Sequence, residues 1–144
     1  MRKIIAISAI LAASHAFAGD TPSPDGASVY FIDIEDGATV TGPVTVRFGL
    51  SGMGVAPSGV EKENTGHHHL FVDRAPLGEG AADAELMEIG IPSDANHRHF
   101  GGGQTEVTLE LSPGEHSLQL VLADEFHVPH DPPVASQQIT VLVK

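Results

Sequence analysis

The chain has no cysteine and no tryptophan, a single tyrosine, and only seven lysines and arginines against 19 aspartates and glutamates. Without thiols there can be no disulfide, thiolate metal site, iron–sulfur cluster or thiol nucleophile. The negative surplus repels phosphate, which excludes nucleic acid and anionic membrane surfaces as partners. Aromatic residues are 5% of the chain, too few to build a stacking platform for sugars or bases. There is no G-x-S-x-G elbow, no H-E-x-x-H and no Gly-rich phosphate loop. The longest apolar run, Ile4 to Ala13, is too short to span a bilayer, and no second one follows.

That run instead reads as the middle of a signal peptide over residues 1–18. Arg2 and Lys3 provide the charged start, and Ala16-Phe17-Ala18 the small-residue cleavage site. Cleavage after Ala18 predicts a periplasmic or secreted protein whose mature part carries a net charge of −14, from five basic and 19 acidic residues. Residues 19–27, small and polar with Pro22 and Pro24, read as a flexible leader, and 28–144 as one domain.

Apolar residues alternate with polar ones in several short segments. Tyr30, Ile32 and Ile34 form one such set, Val44, Val46 and Phe48 another, and Val107 and Leu109 a third. Leu118, Leu120 and Leu122 follow, and Ile139, Val141 and Val143 close the series. Of these, Tyr30, Ile32, Ile34, Val44, Val46, Phe48, Val107, Leu109, Leu118, Leu120 and Val141 are the expected core. Ser112-Pro113-Gly114 suggests a hairpin between the third and fourth segments. Ala81 to Met87 has room for one or two helical turns before Gly90 and Pro92. The pattern predicts an all-β fold, an antiparallel sandwich of about seven strands with long loops.

What the chain has in excess is histidine. Of nine, eight lie in the 64 residues from His67 to His130. In a strand with period two, His67 and His69 share one face. His68 joins Leu70 and Val72 on the other, inward face, leaving His67 and His69 pointing outward. His97 and His99 repeat the H-x-H spacing, and Gly101 to Gly103 beside them permit close approach of backbone or ligand. Two imidazoles one residue apart on a strand can grip one cation, so His67, His69, His97 and His99 are expected to converge on a shared site. His127 and His130, in a Pro-stiffened loop with Asp124, Glu125 and Asp131, are further candidate ligands. Imidazole with oxygen support suits Cu²⁺ or Zn²⁺, and the lack of thiolate argues against Cu⁺. His116 aligns with the apolar set of its strand and reads as a satisfied structural residue, and Asp73 as a turn former.

Three segments carry a resemblance. Gly66-His67-His68-His69-Leu70, then His99-Phe100-Gly101-Gly102-Gly103-Gln104-Thr105-Glu106, then Pro113-Gly114-Glu115-His116-Ser117-Leu118 resemble the bacterial exported family known as domain of unknown function 4399. The resemblance runs from about Val29 to Val143. It implies no activity. The P-G-x-H-x-L segment followed by an alternating strand is also similar to immunoglobulin-type sandwiches, which implies that fold and leaves function open.

The expected function is therefore a non-catalytic, histidine-rich carrier or buffer of Cu²⁺ or Zn²⁺. At ordinary imidazole pKa it would take up metal near pH 7.5 and release it by about pH 5.5. The alternative is a structural or interaction module of the envelope, with another envelope protein as partner. A metal-dependent enzyme would need an open coordination position and an acid or base, and the sequence marks out neither.

Overall fold

The computed structural model describes residues 21–144, so the predicted signal peptide lies outside the described residues. Nine strands and one helix follow in chain order: β1 (Ser28–Ile32), β2 (Ala38–Val40), β3 (Val44–Ser51), β4 (Gly54–Val55), β5 (Thr65–Val72), α1 (Asp83–Ile89), β6 (His97–His99), β7 (Glu106–Leu109), β8 (Gly114–Ala123) and β9 (Ile139–Val143). The sequence pattern anticipated the longer ones. β2, β4 and β6 have two or three residues each, too short for alternation to be seen.

The strands form an all-β sandwich. One sheet has the order β1-β3-β7, antiparallel throughout. The other runs β2-β9-β8-β5-β4, and β6 shares the outer edge of β5 with β4. β2 is parallel to β9 and β4 to β5, so this sheet is mixed. Val44, Val46, Phe48 and Leu109 of the first sheet face Leu70, Leu118, Leu120, Leu122 and Val141 of the second, and all are buried. Among the described residues no helix is long and apolar enough to cross a membrane.

Three expectations need correction. In β1 the inward residues are Val29 and Phe31, while Tyr30 is 47% and Ile32 37% exposed. Asp33 takes a left-handed backbone (φ 63°), which interrupts the alternation and returns Ile34 to the interior. Tyr30 lies on the outer face across Gly49, its register partner, where an added Cβ would sit 2.2 Å from the ring. Second, β7 and β8 are not a hairpin. β7 pairs with β3 and β8 with β5 and β9, so the turn at Ser112 to Gly114 crosses between sheets. Their apolar faces meet across the core, an arrangement with the same alternation as a hairpin. Val107 is accordingly only partly buried. Third, the leader is tied down from Thr21 to Ser23. Ser23 N–H donates to Asp131 O (2.9 Å) and Asp131 N–H to Thr21 O (2.9 Å).

β5 carries His67, His68 and His69. Its His68, Leu70 and Val72 enter the main core, as alternation requires, but its other face is covered too. There Phe71 packs with Val121 and Ala123 of β8 and with Leu86 and Ile91, carried by α1 and the segment after it. α1, the expected short helix, ends at Gly90 (φ 103°) and closes this second, smaller core.

Removing a fully buried side chain between the sheets leaves a cavity, whereas Tyr30 loses only surface packing. Leu120→Ala should lower stability by about 2–5 kcal/mol. Tyr30→Ala should cost about 1 kcal/mol or less. Urea unfolding midpoints of the two variants check the corrected register, and equal losses would contradict it.

Candidate metal centre

Period two along β5 sets His67 and His69 on the face turned from the main core, in line with Phe71. They do not reach solvent, for the second core and the loops beside it bury both completely. β6 runs antiparallel along the edge of β5, and its register sets His99 opposite His69. The fourth imidazole comes from the loop between β8 and β9. There Asp124 accepts hydrogen bonds from Phe126 N–H (2.9 Å), Val128 N–H (3.0 Å) and Thr21 Oγ1 (2.7 Å), and His127 adopts a left-handed backbone (φ 70°). That posture turns His127 Nδ1 to within 3.1 Å of His67 Nε2.

Potential ligand nitrogens of His67, His69, His99 and His127 all lie within 4.8 Å of one another. His67 Nε2 is also 3.0 Å from His69 Nε2. Nitrogens bound to one ion at about 2.0–2.1 Å stand about 2.9 Å apart at a square corner and about 3.3 Å apart in a tetrahedron. The two short separations match that range. A neutral imidazole nitrogen carries either one proton or one lone pair, so His67 Nε2 cannot be donor to one neighbour and acceptor from the other. A cation at the centre would instead engage every lone pair. This cluster can hold a metal ion.

Two small residues shape its wall. Ser58 N–H donates to Gly101 O (2.8 Å), and Ser58 Oγ lies 3.3 Å from His127 Nε2. A Cβ on Gly101 would stand 2.5 Å from His99 Nε2, so only glycine leaves room for that ring. The glycine run next to His99 signalled such an approach. Ser58, inside a long loop, gave no sequence signal.

No carboxylate belongs to the cluster. His67 Nδ1, His69 Nδ1 and His99 Nε2 are buried without hydrogen-bond partners. Burial, reinforced by His127 and His99, pushes His67 down to about 4. His69 is pushed lower still, by burial and then His67, and His99 is lowered by burial and His127. His67 and His69 therefore stay neutral at pH values well below the ordinary value of about 6.5, and for these two proton competition sets in lower than the ordinary imidazole value implies.

The remaining histidines divide cleanly. His97 stands apart from the cluster because register places it opposite Phe71, one pair further along. Its ring nitrogens are committed, Nδ1 to Asp94 Oδ1 (2.9 Å) and Nε2 to the Arg74 guanidinium (2.8 Å). The expected set of His67, His69, His97 and His99 thus keeps three members and exchanges His97 for His127. His130 is fully buried against Gly66, with both nitrogens unpartnered, and is not among the four. His68 lies in the main core with its ring centroid 5.2 Å from that of Phe48, and burial brings it to about 4. Asp124, in the loop with His127 and His130, is occupied in holding that loop.

His116 is structural, as its alignment suggested. Its Nδ1 is 2.7 Å from Asp73 Oδ2 and its Nε2 2.8 Å from Ser112 O, and these two partners raise its pKa. Both contacts need protonated nitrogens, so the stabilisation is complete below about pH 6.5 and is lost as pH rises through the elevated value. Asp73→Asn should therefore destabilise more at pH 5.5 than at pH 8.5. The difference should be about 1 kcal/mol or less, since Asp73 is half-exposed and solvent screens the pair. Urea midpoints at the two pH values measure it.

Neither a curated protein nor a solved structure matches the chain. A family does, over residues 46–144, more than two thirds of the chain and every member of the histidine cluster. The match begins later than the expected Val29 and omits β1 and β2. The chain belongs to the family described as Domain of unknown function (DUF4399).

Proposed function

We propose that this is an exported, non-catalytic carrier or buffer for Zn²⁺ or Cu²⁺, binding the ion through His67, His69, His99 and His127 on an immunoglobulin-like sandwich. The observation that carries this reading is the convergence of four imidazoles on a volume the size of one ion, with His67 Nε2 3.0 Å from His69 Nε2 and 3.1 Å from His127 Nδ1. One ring nitrogen cannot make two full hydrogen bonds at once, whereas a cation takes one lone pair from each ring. Four neutral nitrogen donors suit Zn²⁺ in a tetrahedron or Cu²⁺ in a tetragonal site.

Export is supported by the leading segment, with its charged start, apolar run and Ala16-Phe17-Ala18. A mature charge of −14 draws divalent cations toward the surface. The donor set supports a non-catalytic role: in a tetrahedral site four protein ligands fill the shell, whereas a catalytic zinc keeps one position for water or substrate.

Isothermal titration of the untagged protein with Zn²⁺ and Cu²⁺ should give one tight site. Combined His67→Ala, His69→Ala, His99→Ala and His127→Ala should abolish it, while His97→Ala and His130→Ala leave the stoichiometry unchanged. Affinity equal in wild type and the fourfold variant would favour the interaction-module reading. Gly101→Ala, which displaces His99, should weaken binding by about ten- to a hundredfold. Metal analysis of untagged protein from the periplasm would identify the ion and test export together.

A further inference from the structure

The four imidazoles are not held alike. His67 and His69 belong to β5, which is hydrogen-bonded to β8 on one side and to β4 and β6 on the other, and neither ring sees solvent. His99 lies on β6, in register with His69, and the next residue's N–H donates to His68 O (3.1 Å). Sheet pairing fixes the backbone that carries each of these three. His127 alone is carried by a loop. That loop is closed on itself by Asp124 N–H to Val128 O (2.9 Å) and His127 N–H to Asp124 O (3.0 Å), and is fastened to its surroundings by the Asp124 carboxylate, by Ile91 N–H to His127 O (2.8 Å) and by Gly59 N–H to Glu125 O (3.0 Å). Apart from the cluster, the His127 ring has one polar neighbour, Ser58 Oγ at 3.3 Å, a long contact. It is partly exposed, and Phe126 beside it is 70% exposed.

We infer that His127 is the exchangeable ligand: the three sheet imidazoles retain the ion while His127 withdraws, and a neutral nitrogen donor from outside takes the position it leaves. This rests on the metal-binding reading proposed above. In the exchange one coordination bond to His127 breaks as one to the incoming nitrogen forms, and neither electrons nor net charge move. Charge selects the donor class. The protein is strongly acidic and His127 lies between Glu125 and Asp131 in a loop that also contains Asp124, so an anionic ligand meets repulsion that an imidazole does not. The histidine of a receiving protein has the required chemistry.

Co²⁺ makes the exchange visible, because its absorption spectrum depends on coordination number and donor type. On untagged protein, His127→Gly should retain Co²⁺ with affinity reduced by about ten- to a hundredfold and release it faster to a chelator. Added imidazole should restore the wild-type spectrum, and acetate should not. His69→Gly should lose Co²⁺, with no recovery in imidazole. Asp124→Ala keeps all four ligands but removes the acceptor of the Phe126 and Val128 N–H groups, and should speed release; it also serves if His127→Gly fails to fold by circular dichroism. Equal loss in His127→Gly and His69→Gly, no response to imidazole, or unchanged release from Asp124→Ala would overturn the exchange while leaving the metal site standing. Failure of the wild-type protein to bind Co²⁺, Zn²⁺ or Cu²⁺ would overturn the metal-binding reading itself.

Discussion

Burial of β5 on both faces is the constraint from which the rest of the structure follows. A strand at one surface of a sandwich normally shows a wet face, and His67 and His69 on such a face would be solvated and separate. Here the chain after β5 returns through Leu86 and Ile91 to pack on Phe71 and build a second core over the sheet. Arg74 ties that cover down: its guanidinium lies 4.4 Å from the centre of the Phe71 ring and pairs with buried Asp83 of α1. The imidazoles beside Phe71 are thereby enclosed by elements whose own stability comes from apolar packing.

Enclosure changes their chemistry. An exposed imidazole is protonated near pH 6.5 and hydrogen-bonds to water; a buried one must stay neutral or find an anion. His116 has found an anion in Asp73, and its pKa rises. His67 and His69 have found mainly other imidazoles, and theirs fall. The same side chain thus serves in one place as a charged structural strut and in another as a neutral electron-pair donor. His97, braced between Asp94 and Arg74, is a third case in which both nitrogens serve the fold.

The site draws its rigidity and its access from different parts of the fold. Sheet register fixes His67, His69 and His99, whereas a loop organised by one carboxylate brings in His127. Thr21, near the start of the described residues, donates to that same carboxylate, so the loop is pinned from a distant part of the chain.

Period-two alternation is a local property, and where it ran unbroken the sequence alone determined the result: the inward faces of β3, β8 and β9, the partition of His68 from His67 and His69, the all-β class and the short α1. It failed at Asp33, where a left-handed residue reversed the phase, and at Ser112 to Gly114, where a crossover between sheets carries the same alternation as a hairpin. The absence of Cys removed thiolate before any fold was known and left imidazole with carboxylate support; the fold gathered imidazole alone. Which imidazoles meet is a different kind of fact. His97 and His99 have identical spacing to His67 and His69, yet antiparallel register set only His99 opposite a histidine. His127 came from 58 residues beyond His69, through a loop conformation dictated by Asp124 and not by any periodicity. Register and loop closure are long-range, and only tertiary structure decided them, because each depends on packing partners that no local window of sequence contains.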